Sequence, residues 1–109
     1  METNHELKRE MEKCYYSQKR TNYRTFTHSD TLYLMSYCSL VASYNNTTKT
    51  LTLYPRYDYS PTTQRHVNQF IEKETGMRIY SSQRRHALKL GKWFDVNVKY
   101  CETSLVIGR

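Results

Sequence analysis

The sequence predicts an α+β fold: an N-terminal helix, an antiparallel β-sheet that includes a 32–54 hairpin, a central helix over about 61–75, a short basic helix over about 82–90, and a C-terminal hairpin. Three observations carry this expectation. Leu7, Met11, Cys14, Tyr15 and Gln18 recur at the spacing of one helix face. Leu32–Tyr44 alternates with the two-residue period of a strand. Ser60-Pro61-Thr62-Thr63 reads as a helix start, with Gly76 placed to stop it.

A chain of 109 residues fits one domain, because two halves would each bury too little apolar surface to stand alone. Leu, Ile, Val and Phe make up fewer than a fifth of the residues, a fraction that leans toward disorder. Eleven Tyr, four Met and one Trp restore the burial potential. Three Gly and two Pro argue against a long flexible linker. Within the single domain 1–109, residues 1–20 read as a helical extension, 32–75 as a hairpin–helix module, and 77–109 as a basic C-terminal part.

Taken in order, Thr3 and Glu6 have the spacing of a capping box for the first helix. Thr21–Thr27 is β-like, and His28, Ser29 and Asp30 supply a turn. Along Leu32–Tyr44, the strongest strand candidate, Leu34, Ser36, Cys38, Leu40 and Ala42 share one face. Tyr33, Met35, Tyr37, Ser39 and Val41 share the other. Asn45–Lys49 turns the chain, Thr50–Tyr54 returns, and Pro55 ends the strand. Val67, Phe70 and Ile71 form the inner face of the central helix. Met77–Tyr80 predicts a short strand. Ser81 or Ser82 caps the next helix, which Gly91 closes. Phe94–Tyr100 and Ser104–Ile107 predict a closing hairpin that turns near Cys101–Glu102.

No secretory leader or membrane-spanning run is read in the sequence. The cysteines, Cys14, Cys38 and Cys101, are odd in number and widely spaced. A reduced, cytoplasmic protein without membrane association is expected, its thiols serving as packing residues. The formal charge is +7, and it is unevenly spread. Thr75–Phe94 carries Arg78, Arg84, Arg85, Lys89 and Lys92 without an acid. Such a stretch attracts nucleic acid or an acidic protein, although a solvated face would look the same.

Metal-ligand spacings and phosphate-cradling glycine loops are absent from the sequence, so no cofactor, metal or catalytic residue is assigned. One enzymatic rival survives: a metal-independent ribonuclease toxin using Tyr80, Arg84, Arg85 and His86. The stronger functional candidate is Tyr54-Pro-Arg-Tyr-Asp-Tyr-Ser-Pro-Thr-Thr-Gln-Arg-His66. Here Tyr54, Tyr57 and Tyr59 interleave with Arg56 just before a helix start, which suits base stacking, phosphate pairing or a protein hot spot. The same tyrosines would equally fill the core of a domain poor in aliphatics. His66 reads as a hydrogen-bonded structural histidine.

Ser36-Tyr-Cys-Ser-Leu-Val-Ala42, followed by Tyr59-Ser-Pro-Thr-Thr-Gln-Arg-His66 and Phe70, resembles a family of small uncharacterised phage and prophage domains. Its pattern is Ser-Tyr-x-Thr-x-Val-Ala, then Tyr-Ser-x-Thr-Thr-x-Arg-His; Ser39 replaces the usual Thr. The likeness covers residues 36–71 and leaves out the N-terminal helix and the basic C-terminal part. It implies a β-hairpin followed by a helix, and an origin on a mobile element, but no activity.

The expectation is therefore a non-enzymatic binding protein that docks on a host nucleic-acid-binding protein or nucleoprotein, such as a bacterial defence effector. By analogy, an anti-CRISPR-like inhibitor is its most concrete form. The expected surface is Tyr57, Tyr59, Arg65, Arg84, Arg85, Lys89 and Lys92, with charge reversal at Arg84 and Arg85 weakening binding while sparing the fold. A direct DNA- or RNA-binding regulator is the alternative. An exposed edge of the 32–54 hairpin offers a route to a homodimer.

Overall fold

The computed structural model describes residues 4–17 and 21–107. Its elements are α1 (Asn4–Ser17), β1 (Tyr23–His28), β2 (Thr31–Ser36), β3 (Ser39–Asn45), β4 (Thr50–Leu53), α2 (Pro61–Thr75), α3 (Ser81–Leu90), β5 (Lys92–Trp93) and β6 (Val96–Tyr100). The fold is α+β. One six-stranded sheet runs in the order β1-β2-β3-β4-β6-β5.

The sheet has helices on both faces. On one side α1 buries Leu7, Met11 and Cys14 against Tyr33, Met35, Leu40 and Tyr54. On the other, α2 and α3 bring Val67, Phe70, Ile71 and Ala87 onto Leu34, Ala42, Leu51, Leu53, Val96 and Val98. This two-sided cover explains why nearly every residue of β3 is buried, polar Ser39 and Ser43 included. Thr3 and Gln18, which the sequence places on the first helix, lie outside the described residues.

Tight turns link the first strands. Ser29 (φ 49°) and Asp30 (φ 65°) are both left-handed, the pairing that suits a two-residue hairpin between β1 and β2. Asn45 Oδ1 accepts the amides of Thr47 and Thr48, which fixes the β3–β4 turn.

Three expectations need correction. Leu32–Tyr44 is two strands rather than one: the chain reverses at Tyr37–Cys38, with Ser36 opposite Ser39. Tyr37 sits at φ 57°, a conformation glycine or asparagine usually supplies, so no turn signal marks the spot. A register shift between Leu34 and Met35 then breaks the expected alternation, and Leu40 joins Met35 beneath α1 while Ala42 joins Leu34 beneath α2. Secondly, Met77–Tyr80 is not a strand; Ile79 is buried as a plug between α2 and α3. Thirdly, the C-terminal hairpin is made by β5 and β6, not by a turn at Cys101–Glu102. Residues 104–107 cross to the other edge of the α1-side core. There Val106 bridges Ser39, and the Ile107 amide donates to Cys38 O at 2.8 Å.

The sheet is also mixed, because β4 and β6 run parallel with Leu53 opposite Tyr100. A parallel neighbour requires a long crossover, and α2 and α3 are that crossover. Tyr57 and the end of β6 are brought together as a result.

Candidate functional site

The start of α2 shows what the Tyr-Ser-x-Thr-Thr-x-Arg-His string does. Ser60 caps the helix, its Oγ accepting the Thr63 amide at 3.1 Å. Thr63 Oγ1 lies 3.0 Å from Ser36 Oγ, and Ser36 Oγ lies 2.9 Å from His66 Nδ1. The ring of His66 stands edge-on to Tyr23, with centroids 5.4 Å apart. Ser36 and Thr63 are each 2% exposed, so this chain of hydroxyls pins α2 to the last residue of β2. Burial, and secondarily Arg65, lowers the His66 pKa, which favours a neutral ring that can share a proton with Ser36. His66 is thus hydrogen-bonded within the fold, as its sequence context suggested.

The three tyrosines of the 54–59 segment part company. Tyr54 is buried under α1, with its hydroxyl 3.4 Å from Ser43 Oγ. Tyr59 is 69% exposed, and Arg56 lies over its ring at 5.0 Å. Tyr57 is half-buried and faces α3, its ring edge-on to Tyr100 at 6.3 Å.

Two concavities meet at Tyr57 and Arg85. The wider one, about 570 Å³, runs along α3 between Arg85, Leu88 and Lys89 on the helix and Pro55, Tyr57, Asp58 and Tyr100 opposite. The second, about 370 Å³, lies at the start of α3, where Ser81 and Ser82 face Gln64 and Asp58. Burial raises the Tyr57 pKa, with Asp58 adding to the rise and Arg84 and Arg85 opposing it.

Arg84 departs from expectation. The basic run places it on the surface, yet it is 1% exposed and is among the largest buried side chains. Its Nη1 donates to Asn68 Oδ1 and to Ile79 O, and its Nη2 to Ser81 Oγ at 2.8 Å. The guanidinium therefore ties α3 to α2 and holds the 76–80 connection in place. Burial pulls its pKa down, with Tyr57 and Asp58 opposing. A carboxylate introduced at position 84 would be buried among carbonyl and amide oxygens, so charge reversal there would break the fold rather than spare it. The expected surface role of Arg84 is corrected accordingly.

Of the seven residues expected on a binding surface, Tyr57, Arg84, Arg85 and Lys89 converge around α3. Tyr59 borders a separate small cavity beside Tyr37. Arg65 and Lys92 are exposed on α2 and β5, and neither lines the groove. The four residues of the ribonuclease alternative are not brought together either. His86 turns toward Trp93 (6.4 Å), and Tyr80 lines a cavity with Asn68, Glu72 and Arg78. Sequence reasoning missed Leu88 and Tyr100 as groove residues, and it placed Pro55 and Asp58 in the candidate string without singling them out. The parallel β4–β6 pairing gathers them, and no local signal announces that pairing.

Fold and site together define a small α+β module with a basic, tyrosine-walled groove along one helix. The chain belongs to a family of unknown function, DUF8033, which matches residues 6–86. That match reaches well beyond residues 36–71 and takes in most of α1, which the sequence resemblance had left outside. No curated protein and no solved structure matches the chain. Among the described residues, no helix is long and apolar enough to cross a membrane.

Proposed function

We propose that this protein is a non-enzymatic binding module that docks on a host nucleic-acid-binding protein or nucleoprotein. The observation that supports this reading is the groove along α3. Tyr57 and Tyr100 offer two aromatic faces and Pro55 and Leu88 apolar surface, while Arg85 and Lys89 outnumber the one carboxylate, Asp58. Aromatic anchors within a charged rim are the usual composition of a protein hot spot, and a positive rim selects an acidic partner face. The resemblance of the Tyr59–His66 string to phage and prophage domains supports a mobile-element origin. It makes an inhibitor of a bacterial defence effector, anti-CRISPR-like in action, the most concrete form.

The test is capture of partners from host lysate, with and without nuclease, by the native protein and by an Arg85→Glu/Lys89→Glu variant. Both side chains are exposed, so the variant should keep its melting temperature. A defined protein retained through nuclease by the native chain and lost by the variant is the expected result. Recovery of nucleic acid alone, with affinity that falls linearly in log–log against salt, would replace this reading with a direct nucleic-acid-binding regulator.

A further inference from the structure

Arg84 carries a buried charge that the fold offsets only in part, through the Tyr57 ring 6.0 Å from its guanidinium and the attraction of Asp58. Its side chain is 1% exposed, yet its hydrogen-bond acceptors are an amide oxygen, a backbone carbonyl and a hydroxyl, all neutral. Its Nε–H finds no acceptor among the described residues. No carboxylate lies within ion-pairing distance of it among those residues. Buried charges are normally paired, because an uncompensated one is costly to desolvate. This buried cation lines a concavity of about 370 Å³ that opens at the start of α3.

The rest of that concavity is suited to an anion. Ser81 and Ser82 begin a ten-residue helix, where the first amides lack an intrahelical acceptor and the dipole favours negative charge. The Ser81 hydroxyl lines it but donates to Gln64 Oε1 at 2.9 Å, which leaves the Ser82 hydroxyl as the donor at this turn, and Arg85 adds a second, exposed guanidinium. Asp58 also lines it, and its carboxylate opposes an anion. Two guanidiniums, one carboxylate and a helix start worth about half a charge leave a local excess of roughly +1.5. A phosphate monoester carries about −1.5 to −2 at neutral pH and matches that excess. A phosphodiester or a carboxylate, with a single charge, does not.

We infer that the cavity at the start of α3 binds a phosphate monoester, seated between Arg84 and Arg85 on the Ser81–Ser82 turn, with its organic part against the Tyr57 ring. The cavity shares Tyr57, Asp58 and Arg85 with the docking groove, but Lys89 lines the groove alone, so a single Lys89 substitution separates the two readings.

Amide chemical shifts of the full chain, titrated with inorganic phosphate, adenosine 5′-monophosphate and dimethyl phosphate, test it. Saturable shifts centred on Ser81, Ser82 and Arg84 are expected from the first two, with dimethyl phosphate at least tenfold weaker. Tighter binding of the nucleotide than of inorganic phosphate would place the organic part on Tyr57. A 5′-phosphorylated oligonucleotide matching the mononucleotide would identify a strand end as the source, and failure of the oligonucleotide would identify a free small molecule. Ser82→Asp puts an acid where a helix start favours one, so it should fold normally yet lose phosphate binding at least tenfold. Asp58→Asn should strengthen binding severalfold, and Lys89→Glu should change it less than threefold. Absence of saturable shifts with both phosphate and the mononucleotide, or dimethyl phosphate binding as well as either, would overturn the inference whatever the docking experiments show.

Discussion

Ser36 carries more of this fold than its size suggests. Its hydroxyl, itself buried, meets both Thr63 Oγ1 and His66 Nδ1. Removing it leaves two polar partners short of a hydrogen bond. Ser36→Ala is therefore expected to cost roughly 1–3 kcal/mol, read from the urea midpoint, most of it from the two unmet partners rather than from the lost hydroxyl volume. A pH dependence follows from His66. Its folded pKa lies below the ordinary histidine value, so in the acidic range the unfolded chain binds the extra proton more readily. The contribution of the neutral ring is complete above the unfolded pKa and is lost as pH falls through that value toward the folded one. His66→Gln should flatten the stability-versus-pH curve on the acidic side of neutrality, and an unchanged slope would remove His66 as its source. The roles of Ser60 and His66 could be read from the sequence, because capping and helical spacing are local. That of Ser36 could not, since its partners lie 27 and 30 residues away.

Among the elements, α2 was the most legible, since both of its ends are written in residue chemistry. Ser60 has the extended backbone of a cap, Pro61 occupies the first turn, and Gly76 closes the helix at φ 74°. Gly76→Ala tests the closing residue cleanly: a Cβ there would meet nothing within 4 Å, so the cost is purely conformational. About 1–2 kcal/mol of destabilisation is expected, and a thermal melt unchanged by the substitution would show that the helix end relaxes instead. Ser60→Ala should cost about 1 kcal/mol for the cap, and more if loss of the Ser60–Thr63 hydroxyl contact loosens the Ser36 site. The β2–β3 reversal was illegible for a complementary reason. Tyr37-Cys38 contains neither glycine nor asparagine, and its left-handed residue is held by tertiary contacts, including the Tyr37 amide to Asn22 O and Arg24 Nη1 to Tyr37 O. Arg84 was misplaced likewise, because the acceptors that draw it inward sit on Asn68 and Ile79, outside its own helix.

On the scale of the whole molecule, the ends of the described chain meet. Leu105 and Ile107 complete the core that α1 forms with the sheet, and they are 7% and 3% exposed. The Leu40 amide donates to Leu105 O at 2.9 Å, so the segment is held by its backbone as well as by burial. The family match ends at residue 86, yet Val96 and Val98 of β6 lie in the α2–α3 core and β6 supplies the parallel partner of β4. The segment after residue 86 is therefore part of the load that keeps the groove in shape, since Tyr100 forms one of its walls. Ending the chain after Thr103 keeps that wall and removes only the strap under α1. Two buried aliphatic side chains at about 1.5–3 kcal/mol each give an expected loss of roughly 3–6 kcal/mol, a large share of what a domain of this size commands. The truncated chain should unfold at a clearly lower denaturant concentration, with α1 losing amide protection before α2. A midpoint equal to that of the full chain would mean that α1 closes its core without Leu105 and Ile107. Partner capture at reduced temperature, by contrast, should survive the truncation, because no groove residue lies beyond Tyr100.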